Sequence, residues 1–233
     1  MHRFLLFVGM GTALLAANAC VARALRPLAA AAARNDGTAV RHLLSEGIAA
    51  DDVDESGWTP LMWAARTGAI DAATALLDAG AKPNARDGQN GWTALQHAIH
   101  THQVAAVQLL LDRGADPNAK LHPEALTPLL MAAGDRDPAI VKLLLAHGAD
   151  PRHQGEWGDT PLVRAVSGGA LMDIDRPLLG GCHLETVRAL LAHDPSLELP
   201  ETAAGRRALW WARFNECDDV LTLVSRIDRK AER

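Results

Sequence analysis

Apolar and small residues return along this chain at an interval close to 34, and that interval predicts its elements. Gly57-Trp58-Thr59-Pro60-Leu61-Met62-Trp63-Ala64-Ala65 recurs as Gly91-Trp92-Thr93-Ala94-Leu95-Gln96-His97-Ala98-Ile99. It returns as Leu126-Thr127-Pro128-Leu129-Leu130-Met131-Ala132-Ala133 and as Gly158-Asp159-Thr160-Pro161-Leu162-Val163-Arg164-Ala165-Val166. The threonines stand 34, 34 and 33 residues apart. Proline suits the first turn of a helix, where its missing N–H and fixed φ cost least, and a threonine ahead of it caps the helix start. Each copy therefore predicts a short inner helix with a small alanine face. The outer helix that follows carries apolar residues at helical period, as in Val104, Val107, Leu110 and Leu111, or Ile140, Val141, Leu144 and Leu145. Gly80-Ala81-Lys82-Pro83-Asn84, Gly114-Ala115-Asp116-Pro117-Asn118 and Gly148-Ala149-Asp150-Pro151 then stop the helix and turn the chain.

Weaker copies flank these four. Counting back 33 from Thr59 reaches Arg26, which brings Pro27-Leu28, Ala31-Ala32, Leu43-Leu44 and Gly47 into register. Beyond Arg207, Ala208-Leu209, Ala212 and the segment from Leu221 supply a last helix pair with a polar end, as a terminal repeat facing water requires.

The combined Thr-Pro-Leu, Leu-Leu and Gly-Ala-Asp signature resembles the ankyrin repeat. The resemblance implies an all-α solenoid of helix-turn-helix units joined by hairpin-like turns, in about six repeats. These run over residues 26–58, 59–92, 93–126, 127–159 and 160–206, with a C-terminal cap at 207–233. The step from Thr160 to Arg207 is about thirteen residues too long, and the excess falls at Gly168 to Gly181 between the helices of the fifth repeat. The histidine usual after Thr-Pro-Leu is replaced in every copy, by Met62, Gln96, Leu130 and Val163.

Ahead of the repeats, Met1-His2-Arg3 gives a positive start, Phe4 to Ala17 is apolar, and Ala17-Asn18-Ala19 is a small-residue cleavage site. That order predicts a signal peptide over 1–19 and an exported, periplasmic or envelope protein; the apolar run is short for a membrane span. Cys20 follows the site, which leaves a lipidated product beside a free one. Arg23 and Arg26 just past the run count against clean export, and a cytoplasmic chain is the rival expectation.

Composition narrows the chemistry. Lys and Arg total 23 against 28 Asp and Glu, a formal charge of -5 without a long basic run, so no nucleic-acid footprint is expected. Aromatic residues make up 4%, with no Tyr, which disfavours a strand-built fold. The three cysteines form no CxxC pair, and no nucleophile, phosphate-loop or HExxH motif occurs. Neither enzyme activity nor a cofactor is expected. His97, His100 and His102 form the one cluster that a metal or hydrolytic reading could use, although no carboxylate stands beside them at ligand spacing; ordinary polar surface is the plainer reading. His147 and His193, at matching repeat positions, are expected to bond orphan carbonyls at helix ends. Asp51, Asp52, Asp54 and Glu55 are expected to be solvated or capping in their turn.

Carrying the family's contact positions over by register gives a concave protein-binding face. Its expected members are Trp58, Trp92, Leu126 and Asp159 just before each threonine, then Glu55, Ser56, Asn90 and Trp157 at the turn tips. Arg66, Thr67, His100 and Thr101 complete it late on the inner helices. The alternative for Trp58 and Trp92 is packing between turns, and Trp63, Trp210 and Trp211 are assigned to core or cap packing. The partner implied is a protein, with the chain itself monomeric and touching a membrane only through its leader. An accessory or immunity role toward a secreted enzyme or toxin is the envelope form of this reading. In register, Cys182 and Cys217 both fall at the inner-to-outer helix junction of neighbouring repeats, which allows a disulfide if the inserted loop draws Cys182 close. Two free, partly buried thiols are the alternative.

Overall fold

The repeat arithmetic translates directly into helix pairs. A computed structural model describes residues 26–121, 126–167 and 182–231, with side chains through Ser225. The leader, Cys20 and the 168–181 loop lie outside the described residues. The inner helices are α1 (Pro27–Ala33), α3 (Pro60–Thr67), α5 (Ala94–His100), α7 (Pro128–Gly134), α9 (Pro161–Ser167) and α11 (Ala203–Phe214). Each is followed by an outer helix: α2 (Gly37–Ser45), α4 (Ile70–Asp78), α6 (Val104–Asp112), α8 (Pro138–Ala146), α10 (Leu184–His193) and α12 (Asp218–Ala231). Inner helices pack on inner and outer on outer, and each helix also packs on its own partner, so the stack is all-α. Among the described residues, strand pairing is limited to one isolated bridge, Leu121 with Leu126.

The threonines do what their position demands. Thr59, Thr93, Thr127, Thr160 and Thr202 each accept a backbone N–H three residues on, at 3.2 to 3.4 Å. Gln96 answers in the other direction: its Oε1 accepts the Thr93 N–H at 3.0 Å and completes a capping box. Met62 places its sulfur 3.3 Å from the Thr59 nitrogen, a weaker substitute. Leu130 and Val163, at the same position, only pack.

One core runs the length of the stack. Leu28, Leu61, Leu95, Leu129 and Leu162, each two residues after its register start, are 0 to 1% exposed. The alanine pairs behind them let the outer helices approach. In the five described turns between an inner helix and its partner the chain reverses through a left-handed residue at one fixed position, nine after the register start: Asn35, Gly68, His102, Arg136 and Glu216. Only one of these is glycine, so four L-residues hold φ between 53° and 62° there. The tertiary stack imposes the turn on them against local preference. His102 is accordingly a turn residue, its Nδ1 3.5 Å from an Asp137 carboxylate oxygen.

A second ladder joins the outer edges of the repeats. Asn84 donates to the Gly114 carbonyl and accepts the Asp116 N–H, at 3.0 and 2.8 Å, and Asn118 repeats the pattern with Gly148 and Asp150 at 2.9 Å each. Arg152 takes the same place in the next repeat and reaches Asp194 and Ser196, both at 2.7 Å. His147 makes the expected contact with its helix end, Nδ1 to the Leu143 carbonyl at 2.8 Å, whereas His193 is exposed and makes none among the described residues.

The last inner helix departs from register at its start. Its end matches a count from Arg207, yet its cap is Thr202, so it gains more than a turn at the N-terminus inside the segment assigned to the fifth repeat. Gly205 permits this entry, since a β-carbon there would collide with the Pro200 carbonyl. Cys182 and Cys217 form a disulfide with Cα atoms 6.0 Å apart, joining the start of the fifth outer turn to the cap.

Candidate partner-binding face

Four turn tips are each closed by one backbone bond, and three of them are tied to the inner helix that follows by a side-chain contact. The closing bonds are Asp54 N–H to Trp58 O, Asp87 N–H to Trp92 O, Leu121 N–H to Leu126 O and Gly155 N–H to Asp159 O, at 2.9 to 3.0 Å. Counting each tip with the inner helix that follows it, Asp54 Oδ1 of the second repeat accepts the amides of Ser56 and Trp58 at 2.9 and 3.0 Å, and Oδ2 accepts the Trp63 indole N–H at 2.9 Å. In the third, Asp87 Oδ1 accepts the amides of Gln89, Asn90 and Gly91 at 3.0, 2.6 and 2.9 Å, and Oδ2 meets His97 Nε2 at 3.0 Å. Trp63 and His97 both stand four residues after their threonines. The fifth repeat has Gly155 where the second has Asp54. There Asp159 supplies the carboxylate from another position and pairs with Arg164, again four after the threonine. The fourth repeat has Met131 at that position, 6% exposed among apolar neighbours.

Repeats two and three carry a continuous aromatic strip. Trp58 lies 4.7 Å from Trp63 and 4.0 Å from His97, centroid to centroid. Trp92 lies 5.3 Å from both His97 and His100, the latter edge-on. The Arg66 guanidinium sits over Trp58, 5.6 Å from its centroid. His97 is 2% exposed, and burial holds its ring pKa below the ordinary value although the Asp87 carboxylate pulls upward. Burial alone would raise the Asp87 carboxyl; the amides of Asn90 and Gln89, the His97 ring and the Gly91 amide outweigh it and leave it low. Neutral His97 therefore donates from Nε2 to Asp87, and its buried Nδ1 has no hydrogen-bond partner. The pair locks the tip.

These placements correct several expectations. Trp58, at 8% exposure, and Asp159, at 1%, are interior residues, because the strip covers the first and the Arg164 pair holds the second. His97 is buried and hydrogen-bonded, not polar surface. Asp54 takes the capping alternative rather than the solvated one, buried as the anchor of its turn. Trp210 is 59% exposed and Phe214 68%, their rings stacked at 5.2 Å, so Trp210 is not packed into the cap. Glu55, Arg66, Asn90, His100 and Trp157 are exposed as a contact surface requires, and Ser56, Trp92, Thr101 and Leu126 are half-buried. Thr67 is exposed, with its hydroxyl bonded to the Trp63 carbonyl at 3.0 Å; Thr101 bonds Arg66 O at 2.8 Å, across repeats. Among the described residues no group of His, Cys, Asp or Glu could hold a metal ion, and no helix is long and apolar enough to cross a membrane.

A family model described as ankyrin repeats (3 copies) matches residues 6–87, 28–121 and 129–232. The chain belongs to the ankyrin-repeat family. The first match begins inside the apolar leader, and the three together span nearly all the described residues. No curated protein matches the chain. Ankyrin repeats are protein-interaction modules, and in this ankyrin chain the exposed part of the strip lies between the second and third repeats. The tip anchors Asp54 and Asp87 carried a readable signal: an acid five or six residues before each threonine and a ring N–H donor four after it. The exposed Trp210–Phe214 pair had one too, two aromatics four apart on the last inner helix.

Proposed function

We propose that this ankyrin-repeat protein is a non-catalytic binding module that takes a protein partner on its concave face, acting from the cell envelope. The observation that carries the reading is the Arg66–Trp92–His100 surface, with Arg66 and His100 exposed and Trp92 half-buried between them, on a scaffold whose own side chains are packed beneath it. Arg and Trp at the centre of a rigid surface are common anchors of protein interfaces. Affinity capture from envelope extracts with the parent chain and with Trp92→Ala tests it. A protein retained by the parent and lost from the folded variant supports the reading, and equal retention by both defeats it.

The envelope location is supported by the leader and by the Cys182–Cys217 disulfide, since disulfides persist in oxidising compartments. An accessory or immunity role toward a co-secreted enzyme or toxin is the form of partner this location favours. The cytoplasmic scaffold draws its support from the family match starting at residue 6, ahead of the proposed cleavage site. Intact mass of the native protein separates the two. A chain beginning at Cys20, with or without acyl mass, supports export; retention of Met1 with two free thiols at Cys182 and Cys217 supports the scaffold.

A further inference from the structure

We propose that the partner of the concave face presents an acidic side chain, which is held between Arg66 and His100 on the floor made by Trp58, His97 and Trp92. This rests on the concave reading above and names the chemistry it selects. The seventh residue after each register start forms a row along the inner helices: Ala33, Arg66, His100, Gly134, Ser167 and Phe214. Basic side chains occupy that row only in the second and third repeats, where the aromatic strip lies.

The acceptors nearby are already engaged. Asp54 uses both oxygens on Ser56, Trp58 and Trp63, and Asp87 uses both on its turn amides and His97. Glu55 at the neighbouring tip makes no ion pair with Arg66, and Arg66 and His100 make none at all among the described residues. Trp58 Nε1–H is a further buried donor without an acceptor. The strip therefore carries the Arg66 guanidinium and the Trp58 donor without a carboxylate paired to either among the described residues. Its guanidinium is held over Trp58, and the Thr101 hydroxyl bound to the Arg66 carbonyl fixes the two helix ends relative to each other. A planar guanidinium held on an aromatic face is pre-organised for a carboxylate, and the apolar floor strengthens the pairing by excluding water.

The test uses the full chain and a random dodecapeptide phage library, followed by fluorescence titration of the enriched peptides. The expected result is a shared Asp or Glu, whose replacement by the amide weakens binding at least tenfold on the parent and less than twofold on Arg66→Gln. Arg66→Met, which keeps the stem over Trp58, replaces Arg66→Gln if the latter lowers the unfolding midpoint. Enriched peptides that depend on Trp92 but share no acid overturn this inference and leave the concave reading standing. Peptides indifferent to Trp92→Ala and Arg66→Gln, or no enrichment, overturn both.

Discussion

The third and fourth repeats fold to the same helix pair, yet one ties its turn through a buried His97–Asp87 pair that also takes three amides, and the other has apolar Leu121 and Met131 at the same two positions, with its turn closed by the Leu121–Leu126 bridge. The shared position is four after the threonine, filled by His97 in one and by Met131 in the other. A polar anchor depends on its partners, because each buried group left unpaired costs its desolvation, as His97 Nδ1 already does; an apolar anchor needs only volume. The polar version also fixes the orientation of neighbours: His97 separates Trp58 from Trp92 and so shapes the strip that the fourth repeat lacks.

Cutting the polar anchor gives the largest expected effect. Asp87→Ala leaves the buried His97 N–H and three part-buried turn amides without their acceptor, and should lower unfolding free energy by ~2 to 4 kcal/mol in a urea titration. Asp87→Asn, which keeps one carbonyl oxygen for the amides, should cost clearly less. Equal losses for the two would show that the amides are not held by Oδ1.

Acid should separate buried histidines from the apolar repeat. His183, 7% exposed at the junction before α10, is lowered to about 4 by burial, with Arg136 adding to the shift against a weak contact to the Ala133 carbonyl. Its folded pKa lies below the unfolded value of ~6.5, so its stability contribution is whole above that pH. It is lost as pH falls from ~6.5 toward 4, by up to ~3 kcal/mol. His97 shifts in the same direction and adds to the same window. Asp87, whose carboxyl is lowered, contributes stability that goes only below its ordinary range. His183→Gln should flatten part of the slope between pH 6.5 and 4; an unchanged slope would remove His183 from the account.

The apolar anchor should fail more gently. Met131→Ala removes packing without orphaning a polar group, and is expected to cost ~2 to 3 kcal/mol, the same at pH 5 as at pH 7. A cost equal to that of Asp87→Ala, or one that changes with pH, would erase the distinction between the two repeats.

Helix pairs, caps and core were legible in the chain because each depends on residues recurring at one interval: Thr59 and Thr93 cap, Leu61 and Leu95 fill, and Gly80 and Gly114 stop. The strip was legible by residue type but not by burial. Trp58 and Asp159 occupy one register position, immediately before the threonine, as do Trp92 and Leu126. Exposure at that position depends on what the neighbouring repeat places beside it. His97 covers Trp58, and Gly155, lacking a carboxylate of its own, leaves Arg164 to Asp159. Register fixes a residue's place in the stack; its surroundings come from the adjacent copy, which differs at each step.

The smallest effect belongs to the end of the stack. Three residues after the register start stand Met62, Gln96, Leu130 and Val163, each 0% exposed because the next inner helix covers it. Trp210 holds that position in the last repeat, at the end of the described stack, and is 59% exposed. Leu130→Ala should therefore cost ~2 to 5 kcal/mol by opening a cavity between layers. Trp210→Ala should stay within about 0.5 kcal/mol of the parent, the range of exposed substitutions, since it gives up little beyond its stacking on Phe214. Urea unfolding of both variants checks the pair. A loss above ~1 kcal/mol for Trp210→Ala would mean that the last layer is covered by some part of the molecule outside the described residues.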